Sequence, residues 1–371
     1  MGKRIAVIVF IMGITLLAAC SDTKTVSNQG EHDSQEEAEK TSKSVDDTSG
    51  EEEQEKKAKE KPFKPIEPPE DAQPLEDKYS EKEKENTSDV EVYNDESERS
   101  VPLGETLLEG KDDLSDGPLK DHRLVAFYGT PLSENMGILG EYSPEEMMKK
   151  LKEQTAAYSK ADPERPAVPT IELIATVAQR TPGPEGLYVS KPKTEIIETY
   201  AKLAEENGAL LLLDIQLGQG TVMDEIKAIE PYLKLPYVHL AIDTEYSVEE
   251  GQIPGEDLGE VDGKDVQEAV EHIDKMVQEN DLPDKMVLVH QFGNNIVKNK
   301  DKIKPTEHVQ VPLNYDGFGD PDIKISAYGK LVRDQPIQYG GFKLFYDNDD
   351  PLLTPEEVLQ LDPAPAIVNY Q

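Results

Sequence analysis

Ala209-Leu210-Leu211-Leu212-Leu213-Asp214-Ile215-Gln216-Leu217 and Val238-His239-Leu240-Ala241-Ile242-Asp243-Thr244-Glu245-Tyr246 are two apolar runs that turn polar towards their C-terminal ends. Unbroken runs of this length suit strands covered on both faces, as in a parallel sheet. Six further runs accompany them: Leu124–Tyr128, Ile171–Ala178, Met286–Phe292, Val309–Tyr315, Gly341–Asp347 and Ala366–Tyr370. Helical patterns lie between. Val266, Ala269, Val270, Ile273, Met276 and Val277 form one apolar face at i, i+3, i+4 spacing. Ser143-Pro144-Glu145-Glu146 and Thr354-Pro355-Glu356-Glu357 read as capping boxes with proline at the first helical position, and Gly208 reads as a helix C-terminal glycine.

Eight β units with seven helices between them predict a single (β/α)8 (TIM) barrel over residues 103–371. The last run would be strand 8, with Leu103–Leu119 covering the gap beside strands 8 and 1. An open doubly wound sheet is the competing fold. Its glycine fingerprint is missing, because Gly218-Gln219-Gly220 lacks a third glycine at the required spacing and reads as a plain loop.

Strand side chains alternate between helices and barrel interior, and sites form at the C-terminal strand ends. Leu240 and Ile242 facing helices puts Ala241, Asp243 and Glu245 inside. The same parity turns Asp214 and Gln216 inward on strand 3, and Lys343, Phe345 and Asp347 on strand 7. Asn314 and Asp316 share a parity on strand 6, and Glu172 and Asn369 are candidates to join them. Of His290 and Gln291 on strand 5, the pattern does not say which points in. Carboxyls gathered in this way raise one another's pKa, which yields an acid protonated near neutral pH beside one that stays ionised.

Asp243-Thr244-Glu245, with Tyr315 on strand 6 and Tyr370 on strand 8, resembles family 18 glycoside hydrolases. The resemblance implies Glu245 as general acid, Asp243 as its electrostatic partner and Tyr315 as a donor to the substrate's acetamido oxygen; the inward parity of Asp214 and Asp316 adds them as substrate-positioning residues. Gln216, His290, Gln291, Asn314, Lys343, Asp347, Asn369 and Tyr370 complete the expected binding set. No cofactor is required by this reading. A second reading is a metal-dependent hydrolase using Asp214, Asp243, Glu245 and His290 as ligands of a divalent ion. A third is a non-catalytic binding protein of the cell envelope.

Residues 1–19 combine Lys3 and Arg4 with an apolar run, too short at about 1.5 Å per residue to span a bilayer core of roughly 30 Å. They read as a signal peptide. Leu17-Ala18-Ala19-Cys20 resembles the lipobox of bacterial lipoproteins, which implies acylation of Cys20 and anchoring in the lipid bilayer on the extracytoplasmic face of the cell membrane. Two acyl chains suffice for stable anchoring. Residues 20–102 read as a disordered acidic tether, since residues 21–110 hold 28 acidic and 12 basic side chains and few apolar ones.

The whole chain has 371 residues with 39 basic and 76 acidic side chains, a formal net charge of −37, which excludes a nucleic-acid ligand bound by counterion release. A single cysteine excludes a disulfide scaffold. A cell-wall glycan or other envelope component is the expected partner, and the chain is expected to act as a monomer.

Overall fold

The structure is a computed structural model that describes residues 61–73, 112–191 and 193–371. The signal peptide, Cys20 and most of the tether lie outside the described residues.

Eight parallel strands close on themselves. They are β1 (Arg123–Gly129), β2 (Ala167–Ala178), β3 (Leu210–Gly218), β4 (Val238–Ser247), β5 (Lys285–Gln291), β6 (Pro312–Tyr315), β7 (Tyr339–Leu344) and β8 (Ile367–Tyr370). Leu124 of β1 pairs with Val168 of β2 on one side and Ile367 of β8 on the other, so β1 closes the circle. Every strand sits beside its neighbour in sequence. This is the (β/α)8 barrel the alternating runs predict.

Helices follow most strands: α1 (Pro144–Ala161), α2 (Thr194–Asn207), α3 (Val222–Leu233), α4 (Gly263–Asn280), α5 (Pro321–Tyr328) and the single turn α6 (Pro355–Val358). Their ends carry the expected signals. Ser143 Oγ accepts from Glu146 N before Pro144, Thr354 and Glu357 form a reciprocal capping box, and Gly208 closes α2 in the left-handed conformation. The α4 stripe from Val266 to Val277 is buried throughout. Against it and its counterparts on α1 to α3 lies the apolar shell between helices and barrel, where each fully covered Leu, Ile or Val contributes roughly 1.5–3 kcal/mol.

Two expectations give way. A helix was expected in each of the seven connections, but among the described residues the β5–β6 connection carries no α-helix, only the short strands Val297–Lys298 and Val309–Gln310 and the 3-10 turn Lys300–Lys302. Its sequence, Asn294 to Lys304, is rich in Asn and Lys and offers no apolar stripe for a helix to bury. The described part of Leu103–Leu119, from Asp112 onward, does not cover the β8–β1 seam. It lies under the N-terminal end of the barrel, where Asp113 accepts from Gln310 Nε2 (2.6 Å) and Tyr339 OH (2.7 Å), and Leu119 N donates to Gln310 (3.0 Å).

Residues 61–73, within the span assigned to the tether, cross the same end. Lys64 N donates to Gly208 O and Ile66 N to Ala167 O, both at 2.8 Å, and buried Phe63 meets the His122 ring edge-on.

The Gly218-Gln219-Gly220 loop has a structural reason for its first glycine. Gly218 has a φ of +55°, and a Cβ there would meet Leu187 O at 2.4 Å. Thr221 then caps α3 through Asp224 N.

Candidate active site

The C-terminal ends of the strands converge on buried polar groups, because outward-facing apolar positions fix the parity of each strand. On β3 and β4 the inward residues are Asp214, Gln216 and Asp243, all nearly inaccessible. Register shifts on both sides of Gln216 mark bulges, which are common beside functional sites. Gln216 is locked by accepting from Ala178 N (2.9 Å) and donating to Asp243 Oδ2 (3.0 Å). Glu245, half-buried at the end of β4, lies nearer solvent.

Opposite them, β5 settles the ambiguity of His290 and Gln291. His290 points in; Gln291 points out and donates to Leu331 O at 3.1 Å. His290 Nε2 lies 2.7 Å from Glu172 Oε1. Its Nδ1 faces Asp316 Oδ2 at 3.5 Å and the Asn314 amide at 3.2 Å. Asn369 Nδ2 donates to the other oxygen of Glu172. Lys343 Nζ stands 3.5 Å above the centre of the Tyr128 ring.

Tyr128 is the site residue that sequence reasoning missed. Its hydroxyl lies 3.2 Å from Asp214 Oδ2 and 3.5 Å from Asp243 Oδ2, a neutral donor between two carboxyls. The available signal was parity: Val125 and Phe127 pack outward as core, leaving the last tyrosine of the run to face in.

Five carboxyls (Glu172, Asp214, Asp243, Glu245 and Asp316) therefore share the mouth with two cationic side chains, His290 and Lys343. Burial and then Asp243 push the Asp214 pKa well above the ordinary carboxylate value. Burial also raises Asp243. Burial, Asp243 and Asp316 push Glu245 up to about 8. Burial opposes charge on His290, but Glu172 and Asp316 overcome it, and its pKa lies well above the usual histidine value. Oδ1 of Asp214, of Asp243 and of Asp316 have no hydrogen-bond partner although buried. Unpaired buried acceptors cost free energy, so these three oxygens are open to a ligand's positive or donor groups.

The remaining expected residues lie elsewhere. Tyr315 points outward, its ring against Phe342, which in turn meets Tyr328 of α5. The structure does not bring it to the acids, because it alternates with inward Asn314. Tyr370 likewise faces α1, bonded to Tyr158 OH (2.7 Å) and Gln154 (3.0 Å). Asp347 is exposed beyond β7. Exposed Phe318 and Tyr346 stand in the loops after β6 and β7, with Phe318 edge-on to Phe345 at 5.7 Å.

Fold and cluster together define a (β/α)8 protein with an acidic pocket in the position where such barrels hold their sites. No protein-family model matches the chain, and no curated protein sequence matches it. Among solved structures it is similar to one described as "a putative alpha-L-fucosidase" from Bacteroides thetaiotaomicron VPI-5482, with 12% identity, a TM-score of 0.39, and coverage of 75% of this chain and 89% of that one. A likeness at this level carries no information about the pocket.

Proposed function

We propose that this chain is a lipid-anchored protein of the extracytoplasmic face whose barrel hydrolyses or binds a cell-envelope carbohydrate, with Glu245 as general acid. The observation that carries the reading is the position of Glu245. It is the outermost of a row of inward carboxyls, and burial, with Asp243 and Asp316 beside it, pushes its pKa up to about 8. Cleavage of a glycosidic bond needs a proton for the leaving oxygen and negative charge near the sugar ring as it becomes cationic. Glu245 would supply the first. Asp243, its charge supported by the amide of Gln216, would supply the second, with Asp214 positioning substrate. Asp316 would hold substrate through its unpaired oxygen, and exposed Phe318 and Tyr346 offer rings on which a sugar can stack.

The test is turnover of muropeptides or N-acetylhexosamine oligomers by the full chain and by Glu245→Gln. The expected result is loss of turnover with the thermal midpoint kept or raised. Full activity in the variant removes the acid assignment. Binding without any product from the unmodified protein makes the chain a carbohydrate-binding protein instead.

A further inference from the structure

We propose that Glu172, Asp214 and His290 form a binding site for one divalent transition-metal ion, zinc or manganese. One ligand atom from each residue lies within 4.8 Å of the others, and all three side chains are buried. A small closure brings such a group to the roughly 2.0–2.2 Å that these ions require from nitrogen and oxygen. The set is two carboxylates and one imidazole, which suits zinc or manganese and gives calcium a nitrogen it does not favour.

The outer atoms of the three residues carry the inference further. Each ligand has its far side held by a neighbour. Asn369 donates to Glu172 Oε2, Tyr128 OH donates to Asp214 Oδ2 at 3.2 Å, and Asp316 Oδ2 lies 3.5 Å from His290 Nδ1. Outer partners of this kind, above all a carboxylate on the second nitrogen of a histidine, orient metal ligands and fix the tautomer. Glu172 Oε1 then remains against His290 Nε2, and Asp214, the third member of the group, keeps one unpartnered oxygen, Oδ1.

That orphaned oxygen is the second, independent observation. A fully buried carboxylate oxygen without a partner costs free energy that a cation beside it removes. An ion would exchange the His290–Glu172 hydrogen bond for two bonds to metal and displace the proton that this pair shares. It would also add two positive charges to a pocket with five carboxyls and two cationic side chains. The group differs from the ligand set expected from sequence: Glu172 enters, while Asp243 and Glu245 stay outside the three.

The inference does not rest on the carbohydrate reading, since it is measured without substrate. Full-chain protein stripped with a chelator is titrated with zinc and with manganese by calorimetry, with magnesium as the comparison. The expected result is one saturable site per chain for zinc or manganese, with a proton released on binding. Asp214→Asn is expected to weaken that site at least about 100-fold. Tyr128→Phe keeps the ring and removes only the outer hydroxyl, and it is expected to weaken binding about 10- to 100-fold. Circular dichroism checks that both variants are folded, and Asp347→Asn, an exposed acid outside the cluster, is expected to bind as the unmodified protein does.

Absence of a saturable site, or equal affinity in folded Asp214→Asn, overturns the proposal. Metal binding with neither turnover nor binding of any glycan would leave this inference standing and remove the carbohydrate one. Turnover without a metal site would do the reverse.

Discussion

At the N-terminal end of the barrel the buried cations each meet oxygen, whereas at the C-terminal end five carboxyls share two cationic side chains. Arg123 pairs with Asp162 at 2.8 Å, both inaccessible, which ties the start of β1 to the end of α1. Lys285 reaches the carbonyls of Leu235 (2.6 Å), Pro236 (3.2 Å) and Val238 (2.9 Å), and Arg165 donates to Leu119 O. These bonds stitch chain segments to the barrel floor. The opposite end packs Asp214, Asp243, Glu245 and Asp316 together and leaves three of their oxygens unpaired. Acids crowded in this way have shifted pKa values, and such groups cluster where a ligand or a reaction is served.

The contrast makes the two ends separable by mutation. The largest expected effect is at the mouth and appears in activity: Glu245→Gln should lower turnover by about 10²–10⁴-fold, the range for a lost general acid, with stability unharmed. The floor should behave in the opposite sense. Asp162→Ala strands the Arg123 guanidinium and should cost about 3–5 kcal/mol in urea unfolding. A cost below about 1 kcal/mol there would break the comparison.

A third outcome concerns pH. Glu245 goes from 4.5 when unfolded to about 8 when folded, so between these values the folded protein holds the extra proton. Stability from this group is therefore full below pH 4.5 and falls as pH rises through 8. At about 1.4 kcal/mol per unit the shift amounts to ~5 kcal/mol, discounted to about 2 because the mouth is open to water. The groups facing Glu245 are Asp243, Asp316, Tyr246 and Lys343, and the slope should flatten in Glu245→Gln. Unchanged thermal midpoints from pH 5 to 8 in the unmodified protein would contradict it. The smallest effect belongs to the floor: Phe63→Leu, a near-conservative swap beneath the barrel, should cost about 1 kcal/mol and leave turnover and metal binding untouched.

Much of this architecture was legible in the chain because apolar runs and helix caps are local signals. Parity also placed Asp214, Gln216, Asp243, Asn314 and Lys343, since each strand there alternates cleanly. It failed where alternation gave no preference, as with His290 and Gln291, which only the neighbours Glu172 and Leu331 distinguish. Tyr315 and Tyr370 were assigned to the pocket through a family resemblance, although each sits one residue from an inward asparagine and so faces the helices. The strap at 61–73 was hidden for another reason. Its one deeply buried side chain is Phe63, amid lysines, prolines and glutamates that match the composition of a linker. A docked peptide of that kind is recognised by backbone bonds to Gly208 and Ala167, which no composition count reveals.

That strap also bears on which end of the barrel an upstream anchor would hold. Lys61, paired with Asp121, lies beneath the floor, on the far side of the barrel from Glu245. If acylated Cys20 fastens the upstream segment to a bilayer, any pull along it arrives at the base, and the acid-lined opening is turned outward to whatever lies beyond the lipid surface.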